Sequence, residues 1–222
     1  MRRRKDIGRN YSGNSIFSAR IVCADCGCFY GPRHWGTKEE GSRIVWRCGN
    51  KYGKEEKCDS PIITENELRS KFVEALNEIM DNREIVLGRC RDLFESLENT
   101  SDLDDEIEEH LRECEIIAEL SRKLVEENAR SKMNQEAFMR KYNSYSAKYD
   151  EESTKVEQLK ALRTERLGKA EVISAFMFAI HEQETFIEEF SEKLWLSTID
   201  VVVVGHDGKL IFKFKNGKEI IK

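Results

Sequence analysis

Short apolar runs near the N-terminal end of the chain predict a small β-structure. The runs lie at residues 21–22, 29–30 and 44–46, and turn-forming residues separate them. Runs of this length between turns are typical of strands in a compact ribbon.

A long amphipathic helix is predicted after Pro61. Thr64 and Glu67 form a T-x-x-E capping box, which marks the start of a helix. Apolar positions then recur at steps of three and four, so the helix is expected to run to about residue 98. The stripe consists of Leu68, Phe72, Leu76, Ile79, Arg83, Val86 and Cys90. We interpret Cys90 as a packing residue because it lies on this stripe.

Two further helices are predicted to form an antiparallel coiled coil over residues 101–168. The second helix opens at Ser101-x-x-Asp104, and residues 128–134 interrupt its pattern. Its predicted seam is Leu103, Ile107, Leu111, Cys114, Ile117, Leu120 with Ser121, and Leu124. The third helix shows 4-3-4-3 spacing from Phe138 to Arg163, and Gly168 is expected to end it. Helices of this length with a short connector fold back on each other.

Three successive seam positions of the third helix are tyrosines: Tyr142, Tyr145 and Tyr149. A seam that is purely structural would favour aliphatic residues, so the tyrosines favour an interaction surface. The sequence alone leaves open an inert spacer or a homodimerising rod.

The last part of the chain is predicted to return to the ribbon. A helix is expected over residues 170–190, a short helix over 189–195 and strands at 201–204 and 210–214. Asp207-Gly208 and Asn216-Gly217 are tight-turn signals, and residues 219–221 follow the second turn. Strands are expected to pack back on the ribbon because the ribbon alone is too small to bury a core. The predicted fold class is therefore α+β, with the coiled coil inserted between the ribbon and a C-terminal β-hairpin.

Five of the seven cysteines lie in the predicted ribbon, and their spacing indicates a zinc site. Cys23 and Cys26 form C-x2-C followed by Gly27, while Cys48 and Cys58 follow after 21 and 9 intervening residues. Two cysteines on one tight turn can direct both sulfurs at one ion, and four thiolates make a closed, structural zinc shell. Cys28 is a rival ligand that we expect to be a packed thiol, and His34 is better suited to DNA contact or plain exposure.

Charge is distributed unevenly, although the whole chain carries only −5. Residues 1–63 carry +6, residues 64–198 carry −13 and residues 199–222 carry +2. The basic head and acidic middle suggest that a polyanion meets the head. An odd number of cysteines without a secretory signal argues for a reducing compartment, so we expect a cytoplasmic protein.

Basic and aromatic residues alternate across the predicted ribbon, and eight of them are candidate DNA contacts. These are Arg20, Arg33, Trp35, Arg43, Arg47, Lys51, Tyr52 and Lys54. Arginine can fork onto guanine or phosphate, and aromatic rings can pack on sugars. The alternative is a solvated charged surface, because glutamates dilute the patch.

Several motifs resemble the zinc β-ribbon segment of the large serine recombinases, the group of phage integrases and transposon resolvases. They are IFSARIVCADCG from Ile16, VWRC at 45–48 and C-x-x-P ending at Pro61. NQEAFMRKY at 134–142, the stretch at 189–195 and the tail DGKLIFKFKNGKEI are also similar to that family. The resemblance covers nearly the whole chain and implies a C-terminal segment without the catalytic domain.

The resemblance implies a zinc ribbon (residues 16–63) that contacts a double-stranded DNA attachment site and a coiled coil that contacts other recombinase subunits. Residues 1–15 would be a basic linker, residues 64–100 a connecting helix and residues 169–222 the returning helices and hairpin. The coiled-coil tip would lie at about residues 127–138, with Val125, Met133 and Phe138 as contact residues. A directionality-controlling protein is a further expected partner, and the protein would be bacterial or phage-encoded.

No constellation of catalytic residues accompanies these motifs. The serines lie in predicted caps, loops and helix surfaces, and neither a phosphate-binding glycine loop nor H-E-x-x-H is present. The catalytic serine of the resembled enzymes belongs to the missing domain, so we expect this chain to be inactive alone. The alternative function is a zinc-ribbon and coiled-coil scaffold that binds protein and does not bind DNA.

Overall fold

The computed structural model of the chain describes residues 15–36, 43–52, 57–131, 133–183 and 186–222. These residues divide into two compact units. The ribbon unit contains the described residues up to Arg91 together with Val172–Lys222, and the hairpin unit is Asp92–Glu171. The basic linker predicted at residues 1–15 lies outside the described residues except for Ser15.

The ribbon unit contains two β-sheets. The first sheet has the order β1-β5-β6-β7 and the second has the order β2-β3-β4. The strands are β1 (Ile21–Cys23), β2 (Tyr30–Trp35), β3 (Arg43–Cys48), β4 (Ile63–Thr64), β5 (Ile199–Val204), β6 (Leu210–Phe214) and β7 (Glu219–Ile221).

Five helices accompany these strands among the described residues. They are α1 (Glu65–Asp81), α2 (Arg83–Glu98), α3 (Ser101–Arg130), α4 (Gln135–His181) and α5 (Glu192–Thr198). Thr64 caps α1 as predicted, because its Oγ1 accepts a hydrogen bond from the Glu67 amide. The α+β prediction is confirmed by a four-cysteine ribbon, a long helix and C-terminal strands that form a sheet.

Strand β1 joins the ribbon to the C-terminal strands, which were expected to pack back on it. It lies parallel to β5, with Ile21 opposite Val202, and Val22 also forms an antiparallel bridge with Phe29. A parallel partner can come from any distance along the chain, so a local pattern does not reveal it. The C-terminal strands are therefore joined by backbone hydrogen bonds to the strand that carries Cys23.

Aromatic side chains from distant parts of the sequence form the core of the ribbon unit. The ring centroid of Phe17 lies 4.8 Å from that of Trp195 and 5.8 Å from that of Trp46. Phe72 on α1 lies 5.1 Å from Trp195 and 6.4 Å from Phe212 on β6. These edge-to-face and tilted contacts connect both ends of the chain.

Two helix boundaries differ from the prediction, and Arg83 stabilises one of them. The predicted helix over 64–98 is broken at Asn82, and the predicted helix over 170–190 ends at His181. Arg83 donates hydrogen bonds to the carbonyls of His181 and Gln183, at 2.7 and 2.8 Å. Carbonyls at a helix end lack partners within the helix, so the guanidinium stabilises the end of α4.

Helix α4 continues through Gly168, where the sequence predicted an end. One glycine in a helix costs about 1 kcal/mol relative to alanine. Ala170, Ile173 and Phe176 directly after it are all buried, and burying each large apolar side chain contributes about 1.5–3 kcal/mol. Burial therefore outweighs the local preference.

The hairpin unit is an antiparallel pair formed by α3 and the first part of α4. Asp102 pairs with Arg166 at 3.0 Å, Asp104 with Arg163 at 2.6 Å, and His110 with Glu152 at 2.5 Å. Near the connection, Gln135 donates to Asn128 at 3.4 Å. As residue numbers rise along α3, the residue numbers of the partners on α4 fall, so the two helices run antiparallel.

The seam on α3 differs from the predicted one at two positions. Leu111 and Leu120 are each 41 % exposed, whereas His110 and Ser121 are partly buried. His110 and Ser121 continue the alternating steps of four and three through Ile107, Cys114, Ile117 and Leu124. The prediction chose Leu111 over His110 and included Leu120 together with Ser121, but the heptad spacing decided the packing.

Candidate metal centre and adjoining surfaces

Four cysteines from three separate segments meet at one point of the ribbon unit. Cys23 ends β1, Cys26 lies in the following turn, Cys48 ends β3, and Cys58 precedes β4. Their sulfur atoms all lie within 4.8 Å of one another. We call this group the four-cysteine cluster.

The sulfur distances fit a tetrahedral metal site. Cys23 Sγ lies 3.6 Å from Cys58 Sγ, and Cys26 Sγ lies 3.3 Å from Cys48 Sγ. Sulfurs bonded to one zinc ion at about 2.3 Å in a tetrahedron would be about 3.8 Å apart. A disulfide would require about 2.05 Å, so the geometry matches shared coordination better than cross-linking. The cluster is therefore able to hold a metal ion.

A tight turn brings the first two cysteines together. Gly27 has a φ of 68° and donates from its amide to the Cys23 carbonyl, while the Cys23 amide donates to the Cys28 carbonyl. A positive φ favours glycine, so Gly27 is required by this turn. Cys28, which we expected to be a packed thiol, is half-buried and is not part of the cluster, and the exposed His34 lies on β2 opposite Ile44.

The surroundings of two buried thiols in the cluster shift their pKa values in opposite directions. Burial raises the pKa of Cys48, which is 1 % exposed. The Ser60 hydroxyl, 3.2 Å from Cys58 Sγ, is the main cause of a pKa lowered to about 7 for Cys58. A metal ion deprotonates the thiols that coordinate it, so binding would release protons from these residues.

One face of the β2–β3 pair combines arginines with exposed aromatic rings. Alternation along the strands and the register of β2 with β3 place Arg33, Trp35, Arg43 and Arg47 on this side. We call these four residues the arginine face. The Arg43 guanidinium lies 5.8 Å from the Trp35 ring centroid, and that of Arg47 lies 4.5 Å from Tyr52.

Stacking on an aromatic ring holds a guanidinium without using its N–H groups. The Trp35 and Tyr52 side chains are 52 % and 66 % exposed, so both rings remain open to solvent on this surface. Among the described residues, the guanidinium N–H groups of Arg43 and Arg47 have no hydrogen-bond partner, so within that part of the chain their donors are available to another molecule. Such a surface can bind phosphate oxygens and planar groups at the same time.

Arg20 and Lys51, two other candidate DNA contacts, lie away from the arginine face. Arg20 donates to the Ile199 carbonyl, and burial lowers its pKa. Lys51 Nζ donates to the Ser60 carbonyl at 2.7 Å. Lys54 lies outside the described residues. The charged groups of Arg20 and Lys51 are thus engaged within the protein.

The three predicted tip residues lie close to the connection between α3 and α4. Val125 is on α3 and 46 % exposed, while Met133 in the connection and Phe138 on α4 are partly buried. The Phe138 ring stacks on the Tyr142 ring, with centroids 6.0 Å apart. Of these three side chains, Val125 offers the largest apolar surface.

On one side of the hairpin unit, six residues at equivalent heptad positions carry no charge, and Asp104 and Lys160 continue these two series at its far end. Leu111, Ala118 and Val125 recur every seven residues on α3, and Met139, Ser146 and Ser153 do so on α4. In an antiparallel pair of helices, the heptad position that directly follows one given seam position lies on the same side of the pair in both helices. We call these six residues the uncharged face. Leu111, Val125 and Met139 are 41–49 % exposed, and Tyr142 and Tyr149 border them.

Sequence reasoning identified the four cysteines but missed the groups that support them. Ser60 is fully buried and touches Cys58 Sγ, and the Asn50 amide donates to Cys48 Sγ at 3.4 Å. A small polar residue two positions after a cysteine was the available signal for Ser60. The uncharged face was also missed, because its seven-residue period is the same as that of the apolar seam beside it.

Comparison with known proteins gives one family match and one structural alignment. Residues 16–77 match the family described as the recombinase zinc beta ribbon domain. A solved structure described as "Crystal Structure of a LSR-DNA Complex" aligns with 96 % of this chain at 14 % sequence identity and a TM-score of 0.28. The chain spans 58 % of the length of that structure. No curated protein matches the chain.

Within the described part of the chain, no helix has the length and apolar character needed to cross a membrane.

Proposed function

We propose that the chain is the C-terminal segment of a large serine site-specific recombinase, with a zinc ribbon that contacts DNA and a helical hairpin that contacts other subunits. The family match over residues 16–77 supports the recombinase assignment for the ribbon. The four-cysteine cluster would hold a structural zinc ion, because four thiolates leave no position for a reacting water.

The arginine face carries the proposal of DNA binding. Arg43 and Arg47 stack on exposed rings, and their N–H edges have no partner among the residues that the structure describes. DNA supplies phosphates for the guanidinium groups, and sugars and base edges for the rings. Arg33 adds a third positive charge on the same side. Phosphate contacts of this kind bind a duplex without specifying its sequence.

Fluorescence anisotropy of the full chain on a labelled duplex tests this proposal. We expect affinity to fall with rising salt, with a logarithmic slope of about 0.9 for each phosphate contact. The triple variant R33Q/R43Q/R47Q should lose most of the affinity and most of the salt dependence.

A matched control removes three arginines from the hairpin unit instead. R112Q/R122Q/R140Q changes the net charge equally, and all three side chains are at least 60 % exposed. Equal loss of affinity in both triple variants would mean that net charge, and not the arginine face, binds DNA. No binding by the unaltered chain at low salt would reject the DNA-binding function.

The uncharged face supports the second part of the proposal, contact between subunits. Leu111, Val125 and Met139 expose apolar surface along one side of the hairpin unit, where solvent-facing positions are normally charged. Tyr142 and Tyr149 extend this surface with rings that can pack and hydrogen-bond. A second hairpin of the same kind would bury both faces.

Sedimentation velocity of the chain over a range of concentrations tests subunit contact. V125E/M139E should weaken self-association by tenfold or more while DNA binding stays unchanged. I116E is the control, because Ile116 is an exposed apolar residue on another side of α3, with 52 % exposure. A wild-type chain that stays monomeric, or equal effects of both variants, would contradict the assignment of this face.

The uncharged face also favours a second function, a scaffold that binds other proteins without contacting DNA. That function predicts no anisotropy change with DNA at any salt concentration. It also predicts that the arginine-face variant keeps every interaction of the chain.

A further inference from the structure

The second pair of cysteines presents a geometric problem that the first pair does not have. Cys23 and Cys26 share one tight turn, whose backbone hydrogen bonds fix both sulfurs. Nine residues separate Cys48 from Cys58, and a segment of that length does not fix two side chains by its own turn geometry. Other contacts must bring Cys58 to the cluster.

Cross-loop hydrogen bonds replace the missing turn. The Cys58 amide donates to the Asn50 carbonyl at 3.1 Å, and the Asn50 amide donates to Cys48 Sγ at 3.4 Å. Lys51 Nζ donates to the Ser60 carbonyl at 2.7 Å. The residues just after Cys48 thus hold those around Cys58 by both backbone and side chain.

Ser60 lies between these cross-loop hydrogen bonds and the sulfur of Cys58. It is fully buried, and its hydroxyl lies 3.2 Å from Cys58 Sγ. The next residue, Pro61, is held by Tyr30, whose hydroxyl donates to the Pro61 carbonyl at 2.9 Å. A buried hydroxyl this close to a sulfur is set to donate to that sulfur when the sulfur carries a negative charge.

We propose that Ser60 is a positioning residue of the metal centre, which orients the Cys58 thiolate, and that Lys51 supports it by holding the Ser60 backbone. This inference rests on the proposed zinc function of the four-cysteine cluster. It gives Lys51 a role at the metal centre and not at the DNA surface. Supporting groups around metal ligands typically change metal affinity by about 10- to 100-fold when removed.

Metal binding by the full chain tests the proposal directly. Cobalt(II) is titrated into the reduced chain and followed by its thiolate charge-transfer and d–d absorption, and zinc then displaces it to give relative affinities. S60A should lower zinc affinity about tenfold or more and should speed zinc release to a chelator. K51M should act in the same direction with a smaller effect.

Two matched variants separate positioning from general damage. S60T keeps the hydroxyl and should retain most of the affinity that S60A loses. K57M removes a lysine beside Cys58 whose side chain is exposed, so it should bind zinc like the unaltered chain. If S60A does not fold, S60T still tests the hydroxyl, and K51M against K57M tests the support of Ser60, because Lys51 donates to the Ser60 carbonyl and the side chain of Lys57 is exposed.

The outcomes distinguish this inference from the proposed metal centre itself. An unaltered chain that takes up no cobalt or zinc would overturn the metal centre and the positioning role together. Normal metal uptake with equal zinc affinity in S60A and the unaltered chain would overturn only the role of Ser60. Equal losses in K51M and K57M would overturn the supporting role of Lys51.

Discussion

The ribbon unit and the hairpin unit reach their structures by different means. In the ribbon unit, the important contacts join distant positions: Cys23 meets Cys58, and Ile21 pairs with Val202. In the hairpin unit, contacts follow one antiparallel register between two neighbouring helices. The structure of the ribbon unit depends on a few specific contacts between distant residues, whereas that of the hairpin unit depends on a repeated pattern of contacts.

The two units also differ in how deeply their side chains are buried. Trp46, Trp195 and Phe17 are fully buried in the ribbon unit, and the four-cysteine cluster connects its two sheets through Cys23 and Cys48. The seam of the hairpin unit contains a polar layer, His110 with Glu152, and many half-exposed side chains. Loss of one long-range contact of this kind should therefore unfold the ribbon unit. Loss of one layer of the seam should only lower the stability of the hairpin unit.

The largest expected effect comes from the loss of a cysteine of the cluster. C48S or C58S should abolish zinc binding and unfold the ribbon unit, because a structural zinc site contributes about 10–16 kcal/mol in zinc-finger peptides. All three tryptophans, Trp35, Trp46 and Trp195, belong to the ribbon unit. Tryptophan fluorescence therefore reports that unit alone, while circular dichroism at 222 nm reports mainly the helices.

We expect the tryptophan fluorescence and the circular dichroism to respond differently to the loss of a cysteine. In C58S, the fluorescence should shift to that of exposed tryptophan, and most of the helical signal should remain because the hairpin unit needs no metal. C90S is the control: Cys90 is buried but lies outside the cluster, and its sulfur accepts a hydrogen bond from Asn216. Unchanged zinc stoichiometry and melting temperature in C58S would show that the ligand set is wrong.

The two units also differ in how well the sequence predicts them. The boundaries of α3 and the start of α4 follow from amphipathic spacing, because neighbouring helices of a hairpin interact locally. The polar seam residue His110 was the exception, since its neighbour Leu111 looked more suitable by residue type. Spacing proved a better guide than hydrophobicity at this position.

In the ribbon unit, the sequence predicted the chemistry and the return of the C-terminal strands, but not which strands pair. The cysteine spacing predicted which four sulfurs meet, because ligand chemistry restricts the choice. The parallel pairing of β1 with β5 and the bond from Arg83 to the end of α4 depend on residues about 100 or more positions apart. No local pattern encodes such contacts, although an arginine on an apolar stripe was a sign that Arg83 had a specific partner.

The smallest expected effect concerns acid and the hairpin unit. Hydrogen bonds from Lys155 and then His110 lower the pKa of Glu152, and Arg163 lowers that of Asp104. A carboxylate whose pKa is lower in the folded state stabilises that state above its unfolded pKa of about 4, and this contribution disappears as the pH falls through the folded value. The melting temperature of the hairpin unit should therefore be steady near neutral pH and fall below about pH 4.5.

Substitutions show whether these two carboxylates cause that fall. D104N and E152Q should each lower the melting temperature at pH 7 by a few degrees and reduce the further loss on acidification, measured at 222 nm. E113Q is the control, since Glu113 is exposed on α3 and has no ion pair among the described residues. If E113Q reduced the acid sensitivity as much as E152Q, overall charge would control the hairpin unit. A specific effect of E152Q would instead show that the polar layer with His110 stabilises one register, in contrast to the ribbon unit, whose arrangement is fixed by four sulfurs.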